Sequence, residues 1–409
     1  MAAQQILVLG GGFAGLWSAV GAARKLDELG VPAHEVAVTL VNRDAFHGIR
    51  VRNYEADLSD VRIPLDEILE PIGVQRIEGD VGGLDVQRRV VTLTDGPTGL
   101  VRQLTYDRLV LALGSQLVRP PVPGLSEHAF DVDVYDHAER LADHLRGLSR
   151  EAPRPGQFTV VVVGAGLTGI EVATELTSRV AACVGHAPAG ATARVVLVDH
   201  NAHVGSDMGD HARPFIERSL RELGVEVRTG VAVQTISEHA VTLTSGEVIS
   251  AATTVWCAGM RAHALTASLP VERDRLGRVP VDASLRVKGV AHVFAAGDVA
   301  RASLAPLHDS VMSCQHSRPM GRFAGHNVVC DLLGLPLLPL QIDWYVTVLD
   351  LGPAGALYTE GWERAVVATG PAAKHTKQTI NRQRIYPPRS GKRAEILAAA
   401  APIVQERPR

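Results

Sequence analysis

Two glycine-rich segments of this sequence have the residue types and spacing that bind the phosphates of a dinucleotide. The first, GGGFAG, runs from Gly10 to Gly15, and the second, GAGLTG, runs from Gly164 to Gly169. In such a turn one glycine permits the bend, one lets backbone N–H groups approach a pyrophosphate, and one lets helix and strand pack closely. Two such turns predict two nucleotides, a flavin in the first and a nicotinamide cofactor in the second, and therefore redox chemistry.

The elements around the first turn have the pattern of a βαβ unit. Ile6–Leu9 is an apolar run typical of a buried parallel strand, and Leu16–Leu29 has apolar residues at helical spacing. Val36–Val41 predicts the second strand, whose end normally carries an acid that binds the ribose hydroxyls. Asn42 stands there instead, and we expect its amide to substitute for the acid.

The second turn has the same context. Phe158–Val163 predicts its first strand and Arg194–Val198 its second, with Asp199 at the end of that second strand. An acid at this position binds the adenosine ribose. Because its charge would repel a 2'-phosphate, Asp199 favours NADH over NADPH, although His200 leaves some tolerance.

Between the two units the sequence predicts short strands and linkers. Val86–Leu113 has the pattern of antiparallel strands, with Val90–Thr94 and Leu100–Leu104 separated by the turn signal DGPTG. The Pro-rich segment Arg119–Gly124 cannot lie inside a helix or a central strand and predicts a linker. A second linker is predicted at Ala152–Gly156.

After the second unit, a strand from Val293 leads to Gly297 and Asp298, and an acid beside glycine at a strand end can approach a polyol. From about Gln341 the sequence predicts a small third domain with a short helix in AEILAAAAPIV. The basic stretch Lys374–Arg384, with Lys374, Lys377, Arg382 and Arg384, has the pattern of a solvated face, and contact with a membrane or an acceptor is the alternative. The strands predicted in this domain are Trp344–Leu349, Ala356–Glu360 and Ala365–Ala368.

Length and composition exclude several classes of protein. With 409 residues, 46% of them hydrophobic, the chain can hold two domains and a smaller piece. A net charge of -3 from dispersed charges gives no footprint for nucleic acid. The four cysteines lie far apart and predict neither a redox disulfide, nor a metal site, nor secretion. No apolar run reaches the 20 or so residues of a membrane span, so we expect a cytoplasmic protein.

Five segments together resemble the two-dinucleotide-binding flavoprotein superfamily, the pyridine nucleotide-disulfide oxidoreductase-like proteins. They are GGGFAGLWSA, YDRLVLALGS, VVVVGAGLTGIEVATEL, VWCAGM and VFAAGDVA. TGIEVATEL and CQHSRPMG make the sequence most similar to type II NADH:quinone oxidoreductases over about residues 1 to 335. The resemblance implies an α/β fold with two Rossmann-like domains, for FAD and NAD, and a small C-terminal α+β domain. It implies an FAD-binding domain formed by residues 1–120 and 285–340, an NAD(H)-binding domain of residues 121–284, and a C-terminal domain of residues 341–409.

The resemblance also assigns residues to the two cofactors. It implies that FAD is bound by Gly10, Gly12, Phe13, Ala14, Gly15, Asn42, Arg43, His47, Val81, Ala112, Leu113, Gly114, Gly297 and Asp298. It implies that NADH is bound by Gly164, Gly166, Leu167, Thr168, Gly169, Asp199, Ala258 and Gly259. Glu171 matches a family acid close to flavin and nicotinamide, and Gln315 matches the first of two glutamines that line the quinone pocket. With His316, these are the candidate catalytic residues. The alternatives are that Glu171 satisfies a nearby backbone group and that Gln315 and His316 cap or pack the helix that follows.

The sequence departs from the family pattern near the expected acceptor. Pro319 replaces the second glutamine, and Leu113 replaces the usual threonine of the ALGS motif. FHGIRVRNYEA brings Arg50 and Arg52 to a region that is apolar in the family. These arginines either stabilise the reduced flavin, bind an acceptor with negative charge, or form a solvated face.

We therefore expect an FAD-dependent NADH oxidoreductase that passes electrons to a quinone or quinone-like acceptor. One alternative is a reductase of an iron–sulfur protein or another small molecule, and a second is a non-catalytic FAD and NADH sensor. The short tail predicts at most peripheral contact with the inner face of the membrane. The sequence does not decide between a monomer and a homodimer.

Overall fold

A seven-stranded sheet carries the first glycine turn at the end of an inner strand. The computed structural model describes residues 3–96, 98–185 and 190–408. In order across the sheet, the strands are Val293–Ala295, Arg108–Leu111, Gln4–Leu9, Val36–Asn42, Gln75–Asp85, Val90–Asp95 and Val101–Thr105. The first five run parallel and the last two antiparallel.

The pairing of this sheet corrects one prediction. Val90–Asp95 and Val101–Thr105 are antiparallel as expected, and Pro97 of the turn between them lies outside the described residues. The prediction was wrong for Arg108–Leu111, which pairs in parallel with Gln4–Leu9. Its continuous apolar run is covered on both faces, as in parallel sheets.

A second sheet, fully parallel, carries the second glycine turn. Its strands, in order, are Ala129–Phe130, Thr253–Trp256, Thr159–Val163, Arg194–Val198 and Glu226–Arg228. Beside it lies an antiparallel sheet of Val233–Ile236, Ala240–Leu243 and Val248–Ser250. The parallel strands of the two sheets, with their glycine turns, confirm the predicted α/β fold with two Rossmann-like units.

Shorter ladders connect these parts. They pair Phe46–Gly48 with Arg62–Pro64, Ser115–Leu117 with Met260–Ala262, Val279–Pro280 with Ala300–Arg301, and Ser303–Ala305 with His308–Asp309. The α-helices are α1 (Phe13–Leu29), α2 (Asp66–Leu69), α3 (Leu125–His128), α4 (Tyr135–Gly147), α5 (Leu167–Val184), α6 (Gly209–Glu222), α7 (Cys314–Leu332), α8 (Gly370–Thr379) and α9 (Arg393–Ala399).

Helices α1 and α7 cross at glycines, which brings the middle of α7 against the first turns of α1. A methyl group on Gly321 would lie 2.4 Å from the Ala14 carbonyl oxygen, and one on Gly325 would lie 2.2 Å from that of Ser18. Only residues without a side chain allow backbones to approach this closely. Helix α7 is therefore held against the first glycine turn.

The C-terminal part contains the predicted three-stranded sheet, with strands Val346–Asp350, Ala356–Glu360 and Ala365–Thr369. Helix α8 continues into a π-helix at Ile380–Arg384. Leu349 and Leu357 pack into the same core as α5, whereas Ile396 of α9 packs into the core of the first sheet. Among the described residues, no helix is both long enough and apolar enough to cross a membrane. The proposed domain boundaries stay a prediction.

Candidate functional site

The first glycine turn, Gly10–Gly15, is shaped by contacts that only glycine allows. Gly10 has φ +104°, and a methyl group there would lie 2.4 Å from the Ala112 carbonyl oxygen. A methyl group on Gly15 would lie 1.7 Å from the Gly10 carbonyl oxygen, whereas Gly12 faces open space. Gly12 precedes α1, and no side chain caps the helix there. The first N–H groups of α1 are thus available to phosphate oxygens.

The second turn, Gly164–Gly169, repeats this geometry. Gly164 also has φ +104°, and a methyl group on Gly169 would lie 1.6 Å from the Gly164 carbonyl oxygen. Gly166 precedes α5 without a side-chain cap. Two uncapped helix starts on glycine turns of the same shape fit two dinucleotides.

Asn42 and Asp199 stand at equivalent strand ends and fasten them to the turns. The Gly11 N–H donates to Asn42 Oδ1 at 2.8 Å. The Ala165 N–H donates to Asp199 Oδ2, and the Asn201 N–H donates to Asp199 Oδ1 at 2.7 Å. The structure thus shows that each residue accepts a hydrogen bond from the backbone of its glycine turn. The ribose contacts predicted for both residues stay predictions.

Asp298 lies where four elements meet. Ser115 Oγ donates to Asp298 Oδ2 at 2.6 Å, and Ser317 Oγ donates to Asp298 Oδ1 at 3.3 Å. Gly297 has φ +75°, and a methyl group there would lie 2.7 Å from Ala14 Cβ. The starts of α1 and α7 and the ends of two strands therefore converge on this carboxylate. Ser115 directly follows the Ala112–Gly114 motif, and that adjacency was the signal for it.

The remaining cofactor-site candidates differ in their surroundings. Ala258 lies against the second turn, since a methyl group on Gly164 would come 3.0 Å from its Cα. Leu167 and Thr168 begin α5, and Gly259 has φ +82°. Val81 and Leu113 contribute to the core of the first sheet, whereas Arg43 is exposed.

His47 is completely buried beside the first turn. Its Nδ1 lies 2.8 Å from the Gly11 carbonyl oxygen, so Nδ1 carries the proton, and its ring meets that of Phe13 edge-on at 5.0 Å. Nε2 has no partner among the described residues. Burial lowers the pKa of His47 to about 4, and Arg318 acts in the same direction. The imidazole is therefore neutral near pH 7.

Arg50 and Arg52, which the sequence brings to one region, have different surroundings in the structure. Arg50 pairs with Asp133 and donates to Ser115 Oγ at 3.0 Å, so it joins the group around Asp298. Arg52 is buried, pairs with Glu55 at 2.7 Å and donates to the Tyr386 hydroxyl. Each arginine thus has a carboxylate partner.

Glu171 of α5 lies against the C-terminal sheet. Its Oε1 accepts from Lys377 Nζ at 2.7 Å and from the Asp350 N–H at 3.0 Å. Lys377 also donates to the Val348 carbonyl oxygen at 3.0 Å. Burial by itself lowers the pKa of Lys377 and is the largest single effect, but the charge and hydrogen bond of Glu171 together with the charge of Asp350 outweigh it, so the pKa is raised.

The solvated face predicted for the basic stretch was wrong for Lys377, which is only 9% exposed. Ala373 and Ile380 lie four residues before and three residues after it, on the packed side of the helix. This spacing was the signal for burial of Lys377.

Gln315 and Pro319 line a cavity of about 80 Å³ at the start of α7. Gln315 Nε2 donates to the Trp344 carbonyl oxygen at 3.2 Å. We call this space the acceptor cavity. Its wall is mostly apolar and consists of Cys314, Gln315, Arg318, Pro319, Gln341, Ile342, Trp344, Val346, Ile380, Arg384, Ile385, Val404, Gln405 and Pro408.

His316 points away from Gln315 and Pro319 and lines a different, open cavity of about 710 Å³ with Tyr345 and Trp362. Its Nδ1 accepts from the Val311 N–H at 2.9 Å, so the proton is on Nε2, which has no partner among the described residues. Burial lowers its pKa to about 4. The three acceptor-site candidates thus face two cavities.

The four cysteines are free thiols. Burial raises the pKa of the Cys257 thiol well above its ordinary value, and the charges of Asp131 and Asp133 act in the same direction, so this thiol is protonated and weakly nucleophilic. In the part of the chain that the structure describes, no group of three or more His, Cys, Asp or Glu side chains could hold a metal ion.

Comparison with known proteins agrees with this geometry. The chain is 59% identical over 404 residues to an NADH dehydrogenase-like protein of Mycobacterium tuberculosis (strain ATCC 25618 / H37Rv), covering 99% of this chain and 100% of the relative. It is 27% identical over 381 residues to the demethylphylloquinone reductase of Synechocystis sp. (strain ATCC 27184 / PCC 6803 / Kazusa), covering 92% and 91%.

The fold has a solved counterpart in NDH2 from Plasmodium falciparum in complex with NADH, with a TM-score of 0.75, 12% identity and 97% coverage of both chains. The family model described as pyridine nucleotide-disulphide oxidoreductase matches residues 4–321. This match confirms the predicted oxidoreductase class and the predicted cofactors, FAD and NADH. The chain belongs to the pyridine nucleotide-disulphide oxidoreductase family.

Proposed function

We propose that the electron acceptor of this NADH oxidoreductase is a quinone that binds in the acceptor cavity. The observation that carries the proposal is the position of Gln315 and Pro319 on the same first turns of α7 that hold Asp298 through Ser317. A ring in this cavity would lie beside the flavin-binding residues, in a mostly apolar wall suited to a quinone. The name of the Synechocystis relative, demethylphylloquinone reductase, supports the same acceptor class.

The first turn and the group around Asp298 fit FAD. Gly12 borders open space, and a methyl group there would project into the cradle that a pyrophosphate needs. We propose that this turn holds the pyrophosphate and that Asp298 holds the polyol. FAD, when bound, accepts a hydride and passes on two electrons. The overall reaction converts NADH, one proton and a quinone into NAD⁺ and a hydroquinone.

The protein's own residues align the reactants and set the charge around them. We propose that the second turn and Asp199 hold NADH, since the uncapped start of α5 and a strand-end acid suit its phosphates and ribose. Glu171 keeps Lys377 charged in a buried position between α5 and the C-terminal sheet. That fixed positive charge would favour negative charge developing nearby.

An acceptor screen tests the proposal. Purified protein loaded with FAD is reduced anaerobically with NADH and mixed with 2-methyl-1,4-naphthoquinone or with a plant-type ferredoxin, and flavin reoxidation is followed by absorbance. Fast reoxidation by the quinone and none by the ferredoxin supports the proposal. Reoxidation by the ferredoxin alone, or by neither, contradicts it.

A variant links the activity to the cavity. Gln315→Leu removes the hydrogen bond to Trp344 and the only amide on the first turn of α7 that faces the cavity. We expect a higher KM for the quinone and an unchanged rate of flavin reduction by NADH. The matched control is Gln103→Leu, because Gln103 is exposed on an edge strand far along the first sheet.

A further inference from the structure

The charged side chains that line the acceptor cavity are Arg318 and Arg384, and no Asp or Glu lines it among the described residues. The sequence placed two cations near the acceptor, Arg50 and Arg52, but each of these has a carboxylate partner. The positive charge available to an acceptor therefore comes from a different pair of arginines.

Arg318 lies on α7, and its guanidinium is stacked 5.5 Å from the ring of Trp17. Its Nε is buried without a hydrogen-bond partner in the described parts of the chain. The pKa of Arg318 falls to about 10, chiefly because the side chain is buried and further because Arg384 is near. The two cations of the cavity thus act on each other, and among the described residues no carboxylate forms an ion pair with Arg318.

Arg322, one turn further along α7, adds a third cation behind Arg318. It is 2% exposed and lies 4.5 Å from the Trp17 ring, and its Nε and Nη1 have no partner among the described residues. A buried guanidinium without an anionic partner is costly, since the protein does not replace the water it has lost. An anion in the cavity would offset that cost.

We propose that the acceptor is an anionic quinone, whose carboxylate, sulfonate or ionised hydroxyl group is bound by Arg318 and Arg384. The inference rests on the proposed function, because it names the class of quinone that the same cavity accepts. Planar guanidinium groups suit such anions, which they bind through two parallel N–H donors. The apolar wall formed by residues such as Ile342 and Ile385 covers the ring.

In the acceptor cavity the Arg384 guanidinium already makes a hydrogen bond within the chain, at the place proposed for the anion. Arg384 donates to the Glu406 carbonyl oxygen, and Val404, Gln405 and Pro408 of the same segment form one wall. A cavity of about 80 Å³ is smaller than the roughly 150 Å³ space that takes up benzene in another protein. Entry of a quinone ring therefore displaces residues 404–408 and frees the Arg384 guanidinium.

The neighbouring open cavity does not suit an anion. Asp343 and Glu360 line it, and its arginine, Arg407, pairs with Glu360 at 2.7 Å. Because carboxylates line the open cavity and arginines line the acceptor cavity, we expect an anionic ring to bind in the acceptor cavity.

The experiment compares two probes, 1,4-naphthoquinone-2-sulfonate and the uncharged 2-methyl-1,4-naphthoquinone, with NADH as donor. The measured quantity is the ratio of their kcat/KM values in the wild type, in Arg318→Gln and in Arg384→Gln. Each variant loses one charge-assisted contact to the sulfonate. We therefore expect kcat/KM for the sulfonate, divided by kcat/KM for the uncharged quinone, to fall about tenfold or more in each variant. Arg384→Lys keeps a positive charge, so we expect its ratio to lie between that of Arg384→Gln and that of the wild type. Arg382→Gln is the matched control, because Arg382 is exposed in the same π-helix.

A binding measurement accompanies the kinetics. Trp344 lines the cavity, so quenching of tryptophan fluorescence by the sulfonate gives a Kd for the oxidised protein. We expect the Kd to rise about tenfold in Arg384→Gln and to stay unchanged in Arg382→Gln. If Arg318→Gln does not fold, Arg384→Gln and Arg384→Lys decide the question.

Two results would overturn the inference while leaving the proposed function intact. One is a ratio and a Kd that do not change in either variant. The other is an equal loss of rate with both probes, which would assign the arginines to the bound flavin. A wild-type protein that reduces neither probe would instead overturn the proposed function.

Discussion

Glu171 and Lys377, 206 residues apart in sequence, form a buried ion pair with Oε1 and Nζ 2.7 Å apart. The pair joins α5, which begins at the second glycine turn, to α8 of the C-terminal part. The Asp350 N–H also donates to Glu171, and Lys377 also donates to the Val348 carbonyl oxygen. The C-terminal part is thus fastened directly to the helix that begins the nucleotide cradle.

Replacing Glu171 by Gln leaves the Lys377 ammonium buried without its counter-charge. We expect the free energy of unfolding, measured by urea denaturation, to fall by about 3–5 kcal/mol. The double variant Glu171→Leu with Lys377→Met removes both charges and should recover most of this loss. A single variant as stable as the wild type would contradict the pairing.

The same pair predicts a dependence on alkaline pH. Because Glu171 raises the folded pKa of Lys377 above 10.5, the stabilisation is complete below pH 10.5 and is lost as the pH rises through the folded pKa. We expect the wild type to lose more stability above pH 10.5 than the double variant does. Equal slopes for the two proteins would show that the pair does not carry this effect.

His47 predicts a separate dependence on acidic pH. Its folded pKa of about 4 lies below 6.5, so the unfolded chain binds a proton first, and stability falls as the pH drops from 6.5 to 4. His47→Asn keeps a donor for the Gly11 carbonyl oxygen and removes the titration. We expect the variant to lose about 3 kcal/mol less over this interval than the wild type. His34→Asn is the control, because the His34 side chain is 82% exposed.

Asp199 predicts a change in cofactor preference that two substitutions can separate. Asp199→Asn keeps an acceptor for the Ala165 N–H but removes the charge that would repel a 2'-phosphate. We expect kcat/KM for NADH, divided by kcat/KM for NADPH, to fall about tenfold in Asp199→Asn. Asp199→Ala also loses the tie to the glycine turn, so its affinity for both cofactors should fall. Unchanged affinities in both variants would mean that the ribose contact lies elsewhere.

The sequence predicted the parts of this protein that depend on local pattern. The glycine turns, the strands that precede them and the sheet after Gln341 follow from spacing and from apolar runs. The burial of Lys377 and the contact between Arg52 and Tyr386 do not follow from local pattern, because burial of a charge depends on which distant segment covers it. Tyr386, which contacts Arg52, lies 334 residues away in sequence.

The acceptor side shows the same limit. Gln315, His316 and Pro319 are close in sequence, and the pattern alone placed all three at one site. A helical turn separates directions by about 100° per residue, so adjacent residues face different surroundings. The structure therefore places His316 in the open cavity and leaves Gln315 and Pro319 in the acceptor cavity.

Gly12 and Gly15 predict two different failures of the first turn. Gly12→Ala meets no protein atom within 4 Å, so the chain should fold normally while its FAD content falls, because the methyl group occupies the cradle. Gly15→Ala clashes with the Gly10 carbonyl oxygen and should lower stability as well as FAD content. FAD is measured by absorbance of the purified protein, and stability of the apoprotein by urea denaturation. Gly147→Ala, at an unobstructed helix end, is the control.

Residues 404–408 form one wall of the acceptor cavity, and we predict that this segment must move before an acceptor can enter. Trp344 Nε1 donates to the Gln405 carbonyl oxygen at 2.6 Å, and the Tyr358 hydroxyl donates to that of Pro408 at 2.7 Å. Arg407 pairs with Glu360 at 2.7 Å. These three contacts and the hydrogen bond from Arg384 to the Glu406 carbonyl oxygen oppose entry of a ring. Each hydrogen bond contributes only about 1 kcal/mol net, so the segment can open.

Deleting residues 402–409 should therefore raise kcat/KM for 2-methyl-1,4-naphthoquinone by up to about tenfold, because the cost of opening is removed. The rate of flavin reduction by NADH should not change, since the second turn lies outside this segment. Ile403→Ala serves as the control, because Ile403 is 60% exposed and does not line the cavity. A deletion that leaves quinone kinetics unchanged would show that acceptors enter by a route that residues 404–408 do not cover.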